Sequence, residues 1–206
     1  MTATNLPTTI PPAPPVHRRL VLNNRPQYVA FGLAWLVGYG LFAVTSGRSP
    51  IVSLPGLAPA ALIGGLVAAI VVTSVVAGRD QRRASPTEVL TGKLLTASWL
   101  VGFVALFLLI TGVASATGDA HLQSLLWPTG SGLVVGLVYL AGGAAHRDML
   151  QYALGTWLAL ISSASVFFDA PGMYWVLAVA GGGAYLAAAA LEPRRRTAAL
   201  AELPEA

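Results

Sequence analysis

Three histidines, eight carboxylates and no cysteine are the whole stock of groups from which this 206-residue chain could build a catalytic or metal site. Their spacing works against it. His17, His121 and His146 lie far apart in the chain, and no two share the i, i+4 spacing that sets two metal ligands on one helix face. Thr129-Gly130-Ser131-Gly132 sets a serine between glycines, as an exposed nucleophile would need. No histidine inside an apolar stretch stands ready to take its proton, so Ser131 reads as a small residue at a helix start. With no thiolate, no paired acids and no buried base, neither enzymatic chemistry nor a cofactor is expected.

The elements that hold these residues explain the shortage. The chain is 55% apolar and 10% charged, with a mean hydropathy of +0.70. A soluble domain needs roughly a quarter of its residues charged to wet its surface. Six apolar stretches reach spanning length: 28–46, 57–77, 94–116, 128–145, 149–168 and 171–191, and none contains an Asp, Glu, Lys or Arg. About 20 helical residues cross a hydrocarbon core of about 30 Å. The expected fold is an all-α integral membrane protein of six transmembrane helices arranged as three hairpins. Residues 1–26 form a disordered proline-rich tail ending in a basic juxtamembrane segment, 27–192 the membrane domain, and 193–206 a basic-then-acidic tail.

The charges left outside the spans are one-sided. Eleven of the twelve cations fall on the side that holds both termini, and Arg48 alone falls on the other. Basic residues are retained in the cytoplasm, so both termini are expected there, in contact with the bilayer. This accounts for the basic balance without a nucleic acid. A cysteine-free, arginine-rich chain suits a bacterial cytoplasmic (inner) membrane.

Ion-coupled transport would call for a carboxylate, histidine or arginine at mid-membrane depth, and the spans offer only hydroxyls and aromatics. The fifth span is the most polar. Trp35, Trp157, Ser162 and Ser163 are the residues that would line a pathway if one exists. Trp35 and Trp157 lie deep enough to need a partner for the indole N–H.

Small residues recur at four-residue spacing: Ala30 and Ala34, Gly65, Gly132 and Gly136, Gly155, and Gly182. In lipid, helices associate through close backbone approach, so these positions mark helix-packing faces, either within the chain or toward another membrane subunit. The loop at 78–93 is the longest on the basic side. Ser85-Pro86-Thr87-Glu88 forms a capping box with proline at N1, which starts the third helix near Pro86, before its apolar stretch begins. Arg79, Arg82, Arg83, Glu88 and Lys93 make this loop a candidate docking ledge. Prolines at 59, 128 and 171 stand near the starts of the even-numbered spans, where a first turn tolerates them.

Leu20–Tyr28 running on to Trp35, Trp127–Leu137 and Tyr152–Trp157 resemble stretches of small six-span bacterial membrane proteins of permease-like type. The arrangement of spans is also similar to ABC-transporter permeases, although the chain is shorter and has no long segment between its fifth and sixth spans. The resemblance implies a non-catalytic transporter subunit whose 78–93 loop meets a cytoplasmic ATPase. The residues alone leave a second class open: a structural or regulatory membrane protein acting through helix packing, with no transport activity.

Overall fold

The computed structural model describes residues 22–47, 50–54, 56–81, 84–119 and 121–201. Within them lie six helices long and apolar enough to cross a membrane, and the described residues contain no strand. The helices are α1 (Arg25–Thr45), α2 (Leu57–Gln81), α3 (Pro86–Thr117), α4 (His121–His146) and α5 (Met149–Ala164), with a 3-10 turn at Ser165–Phe167. The sixth candidate span, or sixth crossing, is built from α6 (Gly172–Trp175), a π-helical segment (Val176–Gly182) and α7 (Gly183–Ala201). The N-terminal tail expected at 1–26 falls outside the described residues as far as position 21.

Helix ends follow local chemistry. At α3, the Ser85 hydroxyl accepts from the Glu88 amide at 3.4 Å and the Glu88 carboxylate accepts from the Ser85 amide at 2.8 Å. The capping box therefore forms at the expected place. The 32 residues of α3 extend about 48 Å at 1.5 Å per residue, well beyond one hydrocarbon core. The same helix stops at Gly118, whose φ of +68° is a conformation that glycine reaches at no steric cost.

Two boundaries differ from expectation. Helix α4 begins at His121, so Pro128 stands inside the helix rather than in its first turn. Helix α7 runs through Pro193 to Ala201, so the segment expected to start a tail at 193 continues the same helix. Burial explains the second case, because Glu192 and Arg195 anchor the C-terminal half of this helix to the rest of the bundle.

The core lies among α1, α4, α5 and the sixth crossing. Helix α1 packs against α2 on one side and against the π segment and α7 on another, while α4 pairs closely with α5. Along α1 an aromatic face runs the length of the span: Tyr28, Phe31, Trp35, Tyr39 and Phe42, at spacings of three and four. Its rings meet Tyr139 of α4, Tyr185 of α7 and Tyr174 of α6, with centroid separations between 5.1 and 6.5 Å.

Helices α2 and α3 lie outside this core. Helix α2 packs principally along α1, and α3 principally along α4. Only 6% of the apolar window of α2 and 11% of that of α3 is buried, against 33–44% for the other four crossings. Their outer faces present Ile63, Val67 and Val71, and Val104, Phe107 and Leu108.

Candidate functional site

The small residues singled out by spacing are helix contacts within the chain. A Cβ added to Gly136 would strike the Ala159 backbone, and one on Gly155 the Leu140 backbone, so α4 and α5 meet main chain to main chain. Gly65 of α2 sits on Ala34 of α1, where a Cβ would fall 3.0 Å from the alanine Cβ. A Cβ added to Gly182 would fall 2.8 to 3.1 Å from the backbone of Gly32 and Leu36. Gly132 faces Ser162 and Trp35, and Ala30 is partly buried against the core.

The four residues proposed to line a pathway divide into two pairs. Trp35 and Ser162 are buried together between α4, α5 and the π segment. The indole of Trp35 fills that space so closely that a Cβ on Gly181 would lie 2.6 Å from its ring. Trp157 and Ser163 are exposed on the other side of α5. The Trp157 indole N–H donates to the Ala180 carbonyl of the π segment at 2.9 Å, and the Ser163 hydroxyl donates to Ala159 of its own helix at 2.9 Å. Both outward polar groups are thereby satisfied against the sixth crossing or their own turn.

Of the ledge residues, Arg79 closes α2 and Lys93 sits on α3, both exposed. Glu88 is engaged in the α3 cap, and Arg82 and Arg83 lie outside the described residues. At the opposite end of α1 and α2, a cavity of about 250 Å³ is bounded by Phe42, Thr45, Ser46, Val52, Leu54 and Pro59.

Among the described residues, a heavily bonded polar group was not apparent from residue spacing. At the end of the bundle where the first and last described segments meet, Asn24, Asp148, Glu192 and Arg195 form one node. Arg195 donates through Nε and Nη2 to the two Glu192 oxygens at 2.8 and 2.6 Å, and Nη1 pairs with Asp148 at 3.1 Å. Nη2 also reaches the Leu22 carbonyl at 2.6 Å. The Asn24 amide donates to Glu192 at 2.9 Å, and its side-chain nitrogen donates to Asp148 at 3.2 Å. The other Asp148 oxygen caps α5 by accepting from the Leu150 and Gln151 amides, each at 3.1 Å.

Glu192 is fully buried, and Asp148 is 6% exposed. Burying a carboxylate is costly unless it is paired and bonded, and here one guanidinium and several N–H donors serve two carboxylates. The arrangement clamps the entry to α1, the α4–α5 turn and the C-terminal half of α7. Those are segments separated by up to 173 residues. The bonds already made fill most of the acceptor capacity of both acids. Among the described residues no group of three His, Asp or Glu side chains could hold a metal ion. An acidic residue just ahead of an apolar helical run is the local signal that would have found the α5 cap at Asp148; its pairing with Glu192 and Arg195 carries no local signal.

The α4–α5 turn itself is tightly specified. Arg147 donates to Ala144 at 3.3 Å and Asp148 donates to Gly143 at 2.8 Å, the paired bonds of a Schellman ending. Arg147 occupies the left-handed position at φ 55°, where glycine is the usual residue. Comparison of the chain with protein-family models, curated proteins and solved structures finds no match.

Proposed function

We propose that this chain is a non-catalytic, multi-pass membrane protein that acts by assembling with other membrane helices through α2 and α3. The observation that carries this reading is the division of the bundle. Four crossings build a filled core, while α2 and α3 each lean on one principal neighbour and leave broad apolar faces outward. Trp35 occupying the space between α4, α5 and the π segment also favours packing over passage at the position where a pathway would run.

The test is to place a large side chain on each outer face, with Val67→Trp on α2 and Leu108→Trp on α3, both positions being exposed. Affinity purification in mild detergent should recover a stoichiometric membrane partner with the wild type and lose it with one of these variants, at unchanged thermal stability. Wild-type protein that purifies without such a partner, or an unaltered partner profile in both variants, overturns the reading.

A second reading keeps the chain as a permease-like transporter subunit that meets a cytoplasmic ATPase through 78–93. It is supported by the start of α3 at Pro86, eight residues ahead of its apolar stretch, with Arg79 and Lys93 exposed nearby. Reversing both charges, Arg79→Glu with Lys93→Glu, should abolish recovery of an ATPase, and wild-type protein that recovers none contradicts it. Under either reading we place both termini in the cytoplasm of a bacterial inner membrane, on the strength of the one-sided cations. The chain has no cysteine, so Lys93→Cys should be labelled by a membrane-impermeant maleimide only after lysis, and Asp119→Cys in intact cells.

A further inference from the structure

The clamp has a consequence for the charges around it. By tying Leu22–Asn24, the α4–α5 turn and the C-terminal half of α7 together, it gathers Arg25, Arg147, Arg194 and Arg196 at the same end of the bundle. Five arginines then share this end of the bundle with two carboxylates, and the ion pairs of both carboxylates are made with Arg195. Among the described residues, the other four arginines have no ion pair. The Nε of Arg196 is buried and has no hydrogen-bond partner. Arg196 as a whole is partly exposed, and a guanidinium stays charged at any pH the protein meets, so its accessible side can meet an anion. Arg147 projects from a backbone position that glycine would occupy with less strain, and its side chain is exposed.

Beside these cations the surface turns apolar at once. Met149 follows the turn and is 77% exposed, and Leu191 and Tyr152 are also outward on the adjoining helix ends. A free phosphate would use only the arginines. A lipid would use both surfaces, with its phosphate oxygens on the guanidinium forks and its acyl chains along Met149, Tyr152 and Leu191.

We propose that this end of the bundle is a binding site for the phosphodiester headgroup of an anionic phospholipid. Arg147 and Arg196 make the direct contacts, and Arg25 and Arg194 supply the surrounding positive field. The site is separate from the outer faces of α2 and α3 and does not depend on how they are used.

The experiment is native mass spectrometry of the full chain after exchange into micelles doped with either phosphatidylglycerol or phosphatidylcholine. The wild type should retain phosphatidylglycerol preferentially. Arg147→Gly and Arg196→Gln should each lower that retention about tenfold, the value of one charge-assisted contact. Arg79→Gln, which removes a cation from the other loop, should leave it unchanged. Arg147→Gly adopts the same turn, so it keeps the test open if Arg196→Gln does not fold. Undiminished retention in Arg147→Gly overturns the proposal, and so does an equal loss in Arg79→Gln, which would mark a diffuse charge effect. Displacement of the lipid by millimolar inorganic phosphate alone would assign the site to a free anion and overturn the lipid assignment.

Discussion

Removing the guanidinium of the clamp tests whether the ion-pair node holds the bundle together. In Arg195→Met, Glu192 retains only the Asn24 amide, and Asp148 retains its α5 cap and the Asn24 side chain. The side chains of Glu192 and Asp148 are 0% and 5% exposed, whereas that of Arg195 is 20% exposed. Breaking a buried pair by removing one partner costs about 3–5 kcal/mol, mostly because a carboxylate is left uncompensated. Partial exposure of the guanidinium puts the expected loss at the lower end, about 3 kcal/mol, or roughly a 150-fold shift of the unfolding equilibrium. Equilibrium unfolding in mixed micelles, followed by tryptophan fluorescence, reads this directly. Glu192→Gln with Arg195→Met should cost clearly less than the two single changes added together, because the neutral amide no longer needs the cation. A loss below about 1 kcal/mol for Arg195→Met, of the size of a surface pair, or strict additivity in the cycle, would refute the reasoning.

The glycine contacts make a contrast between buried and open positions. Gly136→Leu should drive α4 from α5 and destabilise the fold by about 3 kcal/mol, while Gly64→Leu, where an added Cβ meets nothing within 4 Å, should leave the melting temperature in detergent unchanged. Arg147→Gly relieves a left-handed residue worth about 1–2 kcal/mol and gives back part of it in chain entropy. Its melting temperature should stay level or rise. Trp157→Phe removes the indole bond to Ala180 and should cost about 0.6–1 kcal/mol in the same unfolding assay.

Periodicity and length carried the membrane-spanning elements, because a span must satisfy its own backbone and expose apolar side chains wherever lipid covers it. They also located the contacts of Ala34, Gly65, Gly132, Gly136, Gly155 and Gly182, since close approach in lipid demands small residues whichever helix lies opposite. The capping box at Ser85 was readable because its partners are three residues apart. The start of α4 was less so: Pro128 looked like a first-turn proline, yet the helix continues two turns ahead of it to His121. The aromatic face of α1 was present in the spacing of Tyr28, Phe31, Trp35, Tyr39 and Phe42, and periodicity applied to aromatics would have found it. The clamp could not be found that way. Asn24 and Asp148 sit at helix starts and Glu192 at the edge of an apolar stretch, where polar residues are ordinary, and only the tertiary fold brings them together. For the same reason Glu192, taken from sequence as the edge of the membrane domain, is a buried anchor of a helix that continues to Ala201.

The outward faces of α2 and α3 are the central claim, and photo-crosslinking in living cells tests them most directly. A photoreactive amino acid placed singly at Val67, Leu108 and Val179 samples the outer face of α2, that of α3, and an exposed position on the sixth crossing. A discrete protein adduct is expected from Val67 or Leu108, and only lipid adducts from Val179. Lipid adducts alone from all three positions, in membranes where the protein is at its native level, would contradict the claim.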